Sequence, residues 1–103
     1  MKTTTAKIAR NKGQARIWLE NSTLAKMGFN RYDGITIDYL SDGRIEIQRA
    51  LPDVANHSVA GRERRGKSIS IIDINCSELS DHVGTATTAT VVYQPDVITI
   101  TID

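Results

Sequence analysis

The chain has 103 residues, of which 40% are apolar and 24% charged, and it carries a net charge of +1. This is the size and balance of one ordinary globular domain, residues 1–103, with no run of 18 apolar residues that could form a membrane-spanning helix. The single Cys76 excludes an internal disulfide, and Met1-Lys2-Thr3-Thr4-Thr5 leads into no apolar segment, so the expectation is a cytoplasmic protein without a secretory signal.

Thr3 to Arg10 is rich in threonine and predicts an edge strand. Asn11-Lys12-Gly13-Gln14 is a turn signal, because Asn and Gly tolerate positive φ. Arg16 to Glu20 alternates, with Ile17 and Leu19 on one face and Trp18 on the other, which predicts a strand. Asn21 or Ser22 can cap a short helix carrying Leu24 and Met27 on one side. Gly28 suits the left-handed residue that ends it, and Phe29 can fold back as cover. Ile35 to Tyr39 and Arg44 to Gln48 both alternate, and Asp42-Gly43 between them predicts a type I′ hairpin.

Ala50 to Lys67 has no periodicity. It contains Pro52, Asn56, Gly61, Gly66 and the run Arg62-Glu63-Arg64-Arg65, and it predicts a basic, mobile linker over 50–67. Beyond it, Ile69 to Ile74 predicts a strand, Glu78 to Val83 a short helix ended by Gly84, and Thr87 to Tyr93 a strand. Gln94-Pro95-Asp96 predicts a turn and Val97 to Ile102 a closing strand. The expected class is mainly β with two short helices. Ile17, Leu19 and Leu24 match Ile72, Ile74 and Leu79 at one constant offset, while Ile45 and Ile47 match Ile98 and Ile100 after a small shift. This predicts a tandem repeat, with a first strand–helix–hairpin unit over 1–49 and a second over 68–103.

The first unit resembles the AbrB-type swapped-hairpin domain, and within it the SymE-like branch. Leu19, Leu24, Gly28, Phe29, Gly34, Ile37, Gly43, Ile45 and Ile47 carry the likeness. Ile69 to Ile102 fits the same template more loosely: Gly84 matches, and a Pro95-Asp96 turn replaces Asp-Gly. Ser68 to Leu79 is also similar to part of a small domain associated with bacterial or phage DNA cytosine methyltransferases. The resemblance implies an interlaced β-barrel, either a dimer or an intramolecular pseudo-dimer, that binds DNA through basic residues on loops and strand ends. The second unit as delimited here has no Lys or Arg, which argues against a symmetric DNA surface within one chain.

Charge is sorted along the chain. All 13 Lys and Arg lie between Lys2 and Lys67, while five acids and no basic residue follow Ser68. Such asymmetry suggests a basic working face, or halves that attract one another. Arg62, Arg64, Arg65 and Lys67 are the leading candidates for phosphate contacts, since guanidinium groups bind phosphate bidentately. Lys7, Arg10, Lys12 and Arg16 form a second cluster on the N-terminal hairpin, and Arg31 follows beside Tyr32. Trp18 and Tyr39 are expected at the core or its edge, and Tyr32 exposed.

No catalytic set is expected. His57 and His82 lack partners at metal-ligand spacing, and Cys76, Ser77 and His82 share one short segment with no activating geometry implied. Gly61 to Gly66 lacks the Lys-Ser/Thr helix of a phosphate-binding loop, so no metal and no cofactor are expected. The reading is a DNA-binding regulatory or accessory protein, not an enzyme, with homodimerisation expected for so small a domain. The alternative is a phage- or plasmid-type inhibitor or adaptor that binds a DNA-modifying or host defence enzyme, with the acidic half meeting a basic groove.

Overall fold

A computed structural model describes residues 1–103. The chain forms ten strands: β1 Lys2–Lys7, β2 Ala9–Asn11, β3 Gln14–Glu20, β4 Gly34–Tyr39, β5 Arg44–Arg49, β6 His57–Ser58, β7 Ala60–Arg64, β8 Lys67–Ile74, β9 Thr88–Gln94 and β10 Val97–Ile102. Two short helices join them, α1 Ser22–Lys26 and α2 Ser77–Val83. The protein is therefore mainly β with two short helices. The order strand, strand, strand, helix, strand, strand occurs twice, over 2–49 and 57–102.

The strands make two sheets. Six strands lie in the order β1-β9-β10-β5-β4-β6, and four in the order β2-β3-β8-β7. At the centre of the smaller sheet β3 pairs antiparallel with β8, with Ile17 opposite Ile74 and Leu19 opposite Ile72. At the centre of the larger sheet β5 pairs antiparallel with β10, with Ile45 opposite Ile100 and Ile47 opposite Ile98. Because successive side chains alternate between faces, these registers turn all eight residues inward, where each is buried. Phe29, Leu24, Leu79 and Val83 join the same core from the helices and their flanks.

The chain crosses from one sheet to the other at two single-residue breaks. Ile8 separates β1 from β2, and Val59 separates β6 from β7; both side chains are buried. The Ile8 N–H donates to Thr87 O at 2.8 Å, and the Val59 N–H to Asp33 O at 2.8 Å. Loop carbonyls thus take the place of a strand partner, and the ladder is interrupted at both corners. The closed barrel implied by the family resemblance does not form; the sheets remain open, with β1 and β6 as edges of one and β2 and β7 of the other.

Two local expectations are corrected. The segment 50–67 is not an unstructured linker throughout. After Asn56 it forms β6 and then β7, which pairs with β8 from Ala60 opposite Ile71 to Arg64 opposite Lys67. Burial of Val59 and close packing at Gly61 fix it, and neither produces a periodic sequence signal. The turn at Asp42-Gly43 has positive φ only at Gly43 (93°), with the Gly43 N–H bonded to Leu40 O at 3.1 Å. This is a three-residue connection with a left-handed Gly, not the two-residue I′ form. The I′ pattern of two positive φ values occurs instead at Lys12-Gly13 (53° and 82°) and Arg65-Gly66 (53° and 77°).

At the outer edge of β4, Asn56 acts as a strand surrogate. Its N–H bonds Ile35 O, its Oδ1 accepts from the Ile37 N–H at 3.0 Å, and its Nδ2 faces Ile37 O at 3.5 Å. Helix α1 is capped by the Asn21 side chain, which accepts from the Leu24 N–H at 3.2 Å. The Asn21 amide also donates to the hydroxyl of the buried Tyr93 at 3.1 Å, so the largest core side chain has its polar atom satisfied.

Gly28 ends α1 at φ 98°, and a Cβ built there would collide with Asp96 Oδ1. Strain and contact act together, so Gly28→Ala is expected to destabilise the fold by about 1–3 kcal/mol. Chemical denaturation checks this; an unchanged midpoint would show that the β9–β10 turn does not need its seat against α1.

Candidate nucleic-acid interface

Alternation along the smaller sheet decides which candidate residues meet. On β3, Ala15, Ile17 and Leu19 are buried, so Gln14, Arg16, Trp18 and Glu20 lie on the outer face. On β8, Ser70, Ile72 and Ile74 face inward, which puts Ile69, Ile71 and Asp73 on the outer face, where Ile71 is nonetheless covered and only 5% exposed. Pairing with β8 puts Ala60, Arg62 and Arg64 of β7 on that same outer face, with Lys67 opposite Arg64, and sends Glu63 to the other side. Lys12 and Arg65 occupy the hairpin tips at the two ends of this sheet. Six of the nine sequence candidates therefore belong to one surface.

The two acids on that surface are both engaged. Arg16 meets Asp73 through two hydrogen bonds, Nε to Oδ1 and Nη2 to Oδ2, each 2.9 Å. This pairing raises the already high pKa of Arg16, the hydrogen bond with Asp73 being the main cause. The same guanidinium stacks over Trp18, 4.5 Å from the ring centroid. Arg62 bonds Glu20 at 2.5 Å, and Glu20 also accepts from Trp18 Nε1 at 2.9 Å. Arg64, Arg65 and Lys67 have no carboxylate partner among the ion pairs and are exposed. The face thus has a network of paired charge at its centre and free positive charge at the β7–β8 tip.

Trp18 is 43% exposed, which corrects its expected place at the core. The signal was in the sequence: Trp18 has the opposite parity to Ile17 and Leu19. Asn11 and Gln14 also join the surface at the Lys12 tip, beside Arg16 and Asn75, around a cleft of about 280 Å³. Neither amide is distinctive in sequence, because turns commonly contain them.

Three candidates lie elsewhere. Lys7 ends β1 on the outer face of the larger sheet, opposite Thr88. Arg10 turns away from the basic face, and its Nη2 donates to Gly84 O at 2.7 Å and Ala86 O at 3.0 Å, fastening the loop after α2. Arg31 packs against β7 at Gly61, where an added Cβ would lie 2.8 Å from its Cγ and Cδ, and its guanidinium covers Tyr32 at 4.8 Å. Its Nε is buried without a hydrogen-bond partner.

The acids after Ser68 do not assemble into one surface. Asp73 belongs to the basic face, Glu78 and Asp81 ride on α2, and Asp96 pairs with Arg49 at 3.1 Å. Asp103 accepts from the hydroxyls of Thr88 and Thr90. No group of three or more His, Cys, Asp or Glu side chains is arranged to hold a metal ion, and no helix is long and apolar enough to cross a membrane. Searches against protein-family models, curated proteins and solved structures found no match to this chain.

A second polar cluster sits away from this face. The Tyr39 hydroxyl lies 3.2 Å from Cys76 Sγ, and its ring meets His82 edge-on at 5.3 Å. Burial, aided by the contact with Cys76, pushes the Tyr39 phenol well above its ordinary value. A raised folded-state value favours the protonated form, so the contribution to stability is complete below about pH 10, where a free phenol begins to ionise. It is then lost as pH rises toward the folded-state value. Tyr39→Phe is expected to flatten the alkaline decline in stability, measured by denaturant midpoints from neutral pH upward. An identical decline in the variant would assign that loss to other groups.

Proposed function

We propose that the outer face of the four-stranded sheet is a DNA-binding surface, and that the protein is a regulatory or accessory DNA-binding factor. The observation that carries this reading is the convergence of Arg16, Arg62, Arg64 and Lys67 on one sheet face, between tips bearing Lys12 and Arg65. Positive charge held on rigid strands can follow the spacing of phosphates, and its release of counterions drives association. Asp73 and Glu20 neutralise Arg16 and Arg62, so the net positive charge of the surface is that of Arg64, Arg65, Lys67 and Lys12 at the two tips. Trp18 adds an exposed aromatic at its centre.

We further propose that the chain is two diverged copies of an AbrB-like unit, interleaved as an intramolecular pseudo-dimer. Registers about the two central pairs support this. Residues that correspond between the halves exchange partners, Ile17 with Ile74 and Leu19 with Ile72, and again Ile45 with Ile100 and Ile47 with Ile98. The buried corner residues Ile8 and Val59 correspond, as do the tips Lys12-Gly13 and Arg65-Gly66. Arg10 and Gly61 take equivalent strand positions, and where Gly61 leaves space, Arg31 arrives from the facing loop. Placing 57–67 within the second unit gives that unit a basic hairpin of its own and removes the objection that only the first carries positive charge.

Titration of labelled duplex DNA across salt concentrations tests the DNA-binding reading. A combined Arg64→Gln, Arg65→Asn, Lys67→Gln variant keeps the tip's backbone tolerances and is expected to reduce the salt slope by about 2–3. Salt-insensitive or absent binding by the wild type would overturn the function, and an unchanged slope in the variant would overturn the site.

A further inference from the structure

We infer that the two hairpin tips of the smaller sheet act as a pair spaced for one turn of a DNA duplex, one supplying most of the charge and the other a single lysine flanked by amide groups. This rests on the DNA-binding reading above and specifies how the duplex is held.

The spacing follows from topology. Hairpin β2–β3 and hairpin β7–β8 meet through the central β3–β8 pair, which is antiparallel. Their tips therefore point to opposite ends of the sheet. Counting from Gly13 to Trp18 along β3, and from its partner Asp73 back to Gly66 along β8, the tips are roughly 35–40 Å apart at extended-strand rise, slightly shortened by twist. The longest dimension of the molecule, 38 Å, accommodates this. Successive major-groove positions on one side of B-DNA recur every 34–36 Å or so. A duplex lying along the strand direction can then meet both tips, with the Arg16–Asp73 and Arg62–Glu20 pairs facing the intervening stretch.

The tips differ in chemistry. The β7–β8 tip presents Arg64, Arg65 and Lys67, which fits phosphate oxygens. The β2–β3 tip presents Lys12 beside Asn11, while the Gln14 Nε2 already donates to Asn75 O and leaves its amide oxygen to accept. Carboxamides pair with base edges, adenine above all, and contribute little to long-range attraction. The first tip accordingly anchors, and the second engages only when the duplex is long enough to reach it. Both tips are fixed by I′ turns, so little backbone ordering is required on binding.

Lys12→Asn removes the charge at the second tip while retaining a residue that tolerates positive φ. The wild type and this variant are titrated against a duplex of about 8 base pairs, shorter than one turn, and one of about 16. Comparison of variant with wild type at each length cancels the greater number of binding registers on the longer duplex. The expected result is a salt slope lowered by about 0.9 on the longer duplex and unchanged on the shorter one. An equal effect at both lengths, or none at either, overturns the two-tip arrangement while leaving the DNA-binding surface intact. No binding of either duplex by the wild type overturns the surface itself, and the arrangement with it.

Discussion

The antiparallel pairing of β3 with β8 is the constraint on which the rest of this structure depends. It joins the two halves of the chain and determines the facing of every side chain in the smaller sheet. A one-residue slip of β3 would expose Ile17 and Leu19 and bury Arg16 and Trp18, and the same slip of β8 would expose Ile72 and Ile74 and bury Asp73. Stability and surface chemistry are thus set by one register. The apolar residues hold it from inside, and the Arg16–Asp73 pair matches it from outside, since Asp73 lies opposite Trp18 and diagonal to Arg16 on the outer face.

Around this pair, polar groups either fasten the fold or stay free at the surface, and their positions separate the two. Arg10 and Arg31 are consumed in fastening loops 84–86 and 30–32 against the hairpins. Arg49 bridges Asp33 and Asp96 across the turns beside α1. Positive charge is left unpaired chiefly where strands end. A residue type alone does not reveal this division; Arg10 and Arg16 are six positions apart on one hairpin and do different work.

Much of the architecture was legible in the sequence because alternation is a local signal. Strands at 16–20, 35–39, 44–48, 69–74 and 97–102, both helices, the Asn21 cap and the Gly28-Phe29 corner correspond to observed elements. The segment 57–64 was not legible, because β6 is two residues long and β7 is an edge strand with one face exposed. Its order comes from long-range pairing of β6 to β4 and from the hairpin that joins β7 to β8. The same limit applied to the basic surface: Arg62, Arg64, Arg65 and Lys67 were recognisable as a cluster, but their convergence with Arg16 and Trp18 requires the β3–β8 register. Turn type at Asp42-Gly43 also went beyond dipeptide preference, because Leu40 contributes to the hairpin closure.

The Asn56 surrogate has a consequence for the company this molecule keeps. Edge strands with free N–H and C=O groups recruit one another, and chains that stack through them grow into ribbons. At β4 a side chain, not another backbone, occupies the donor and acceptor of Ile37. A carboxamide presents no further ladder to an incoming chain, so between Asn56 at Ile37 and β6 at Gly34 and Ile35 this flank of β4 offers little open backbone for strand addition. The opposite flank, β1, begins and ends in Lys2 and Lys7, and two such strands laid antiparallel would set like charges against each other.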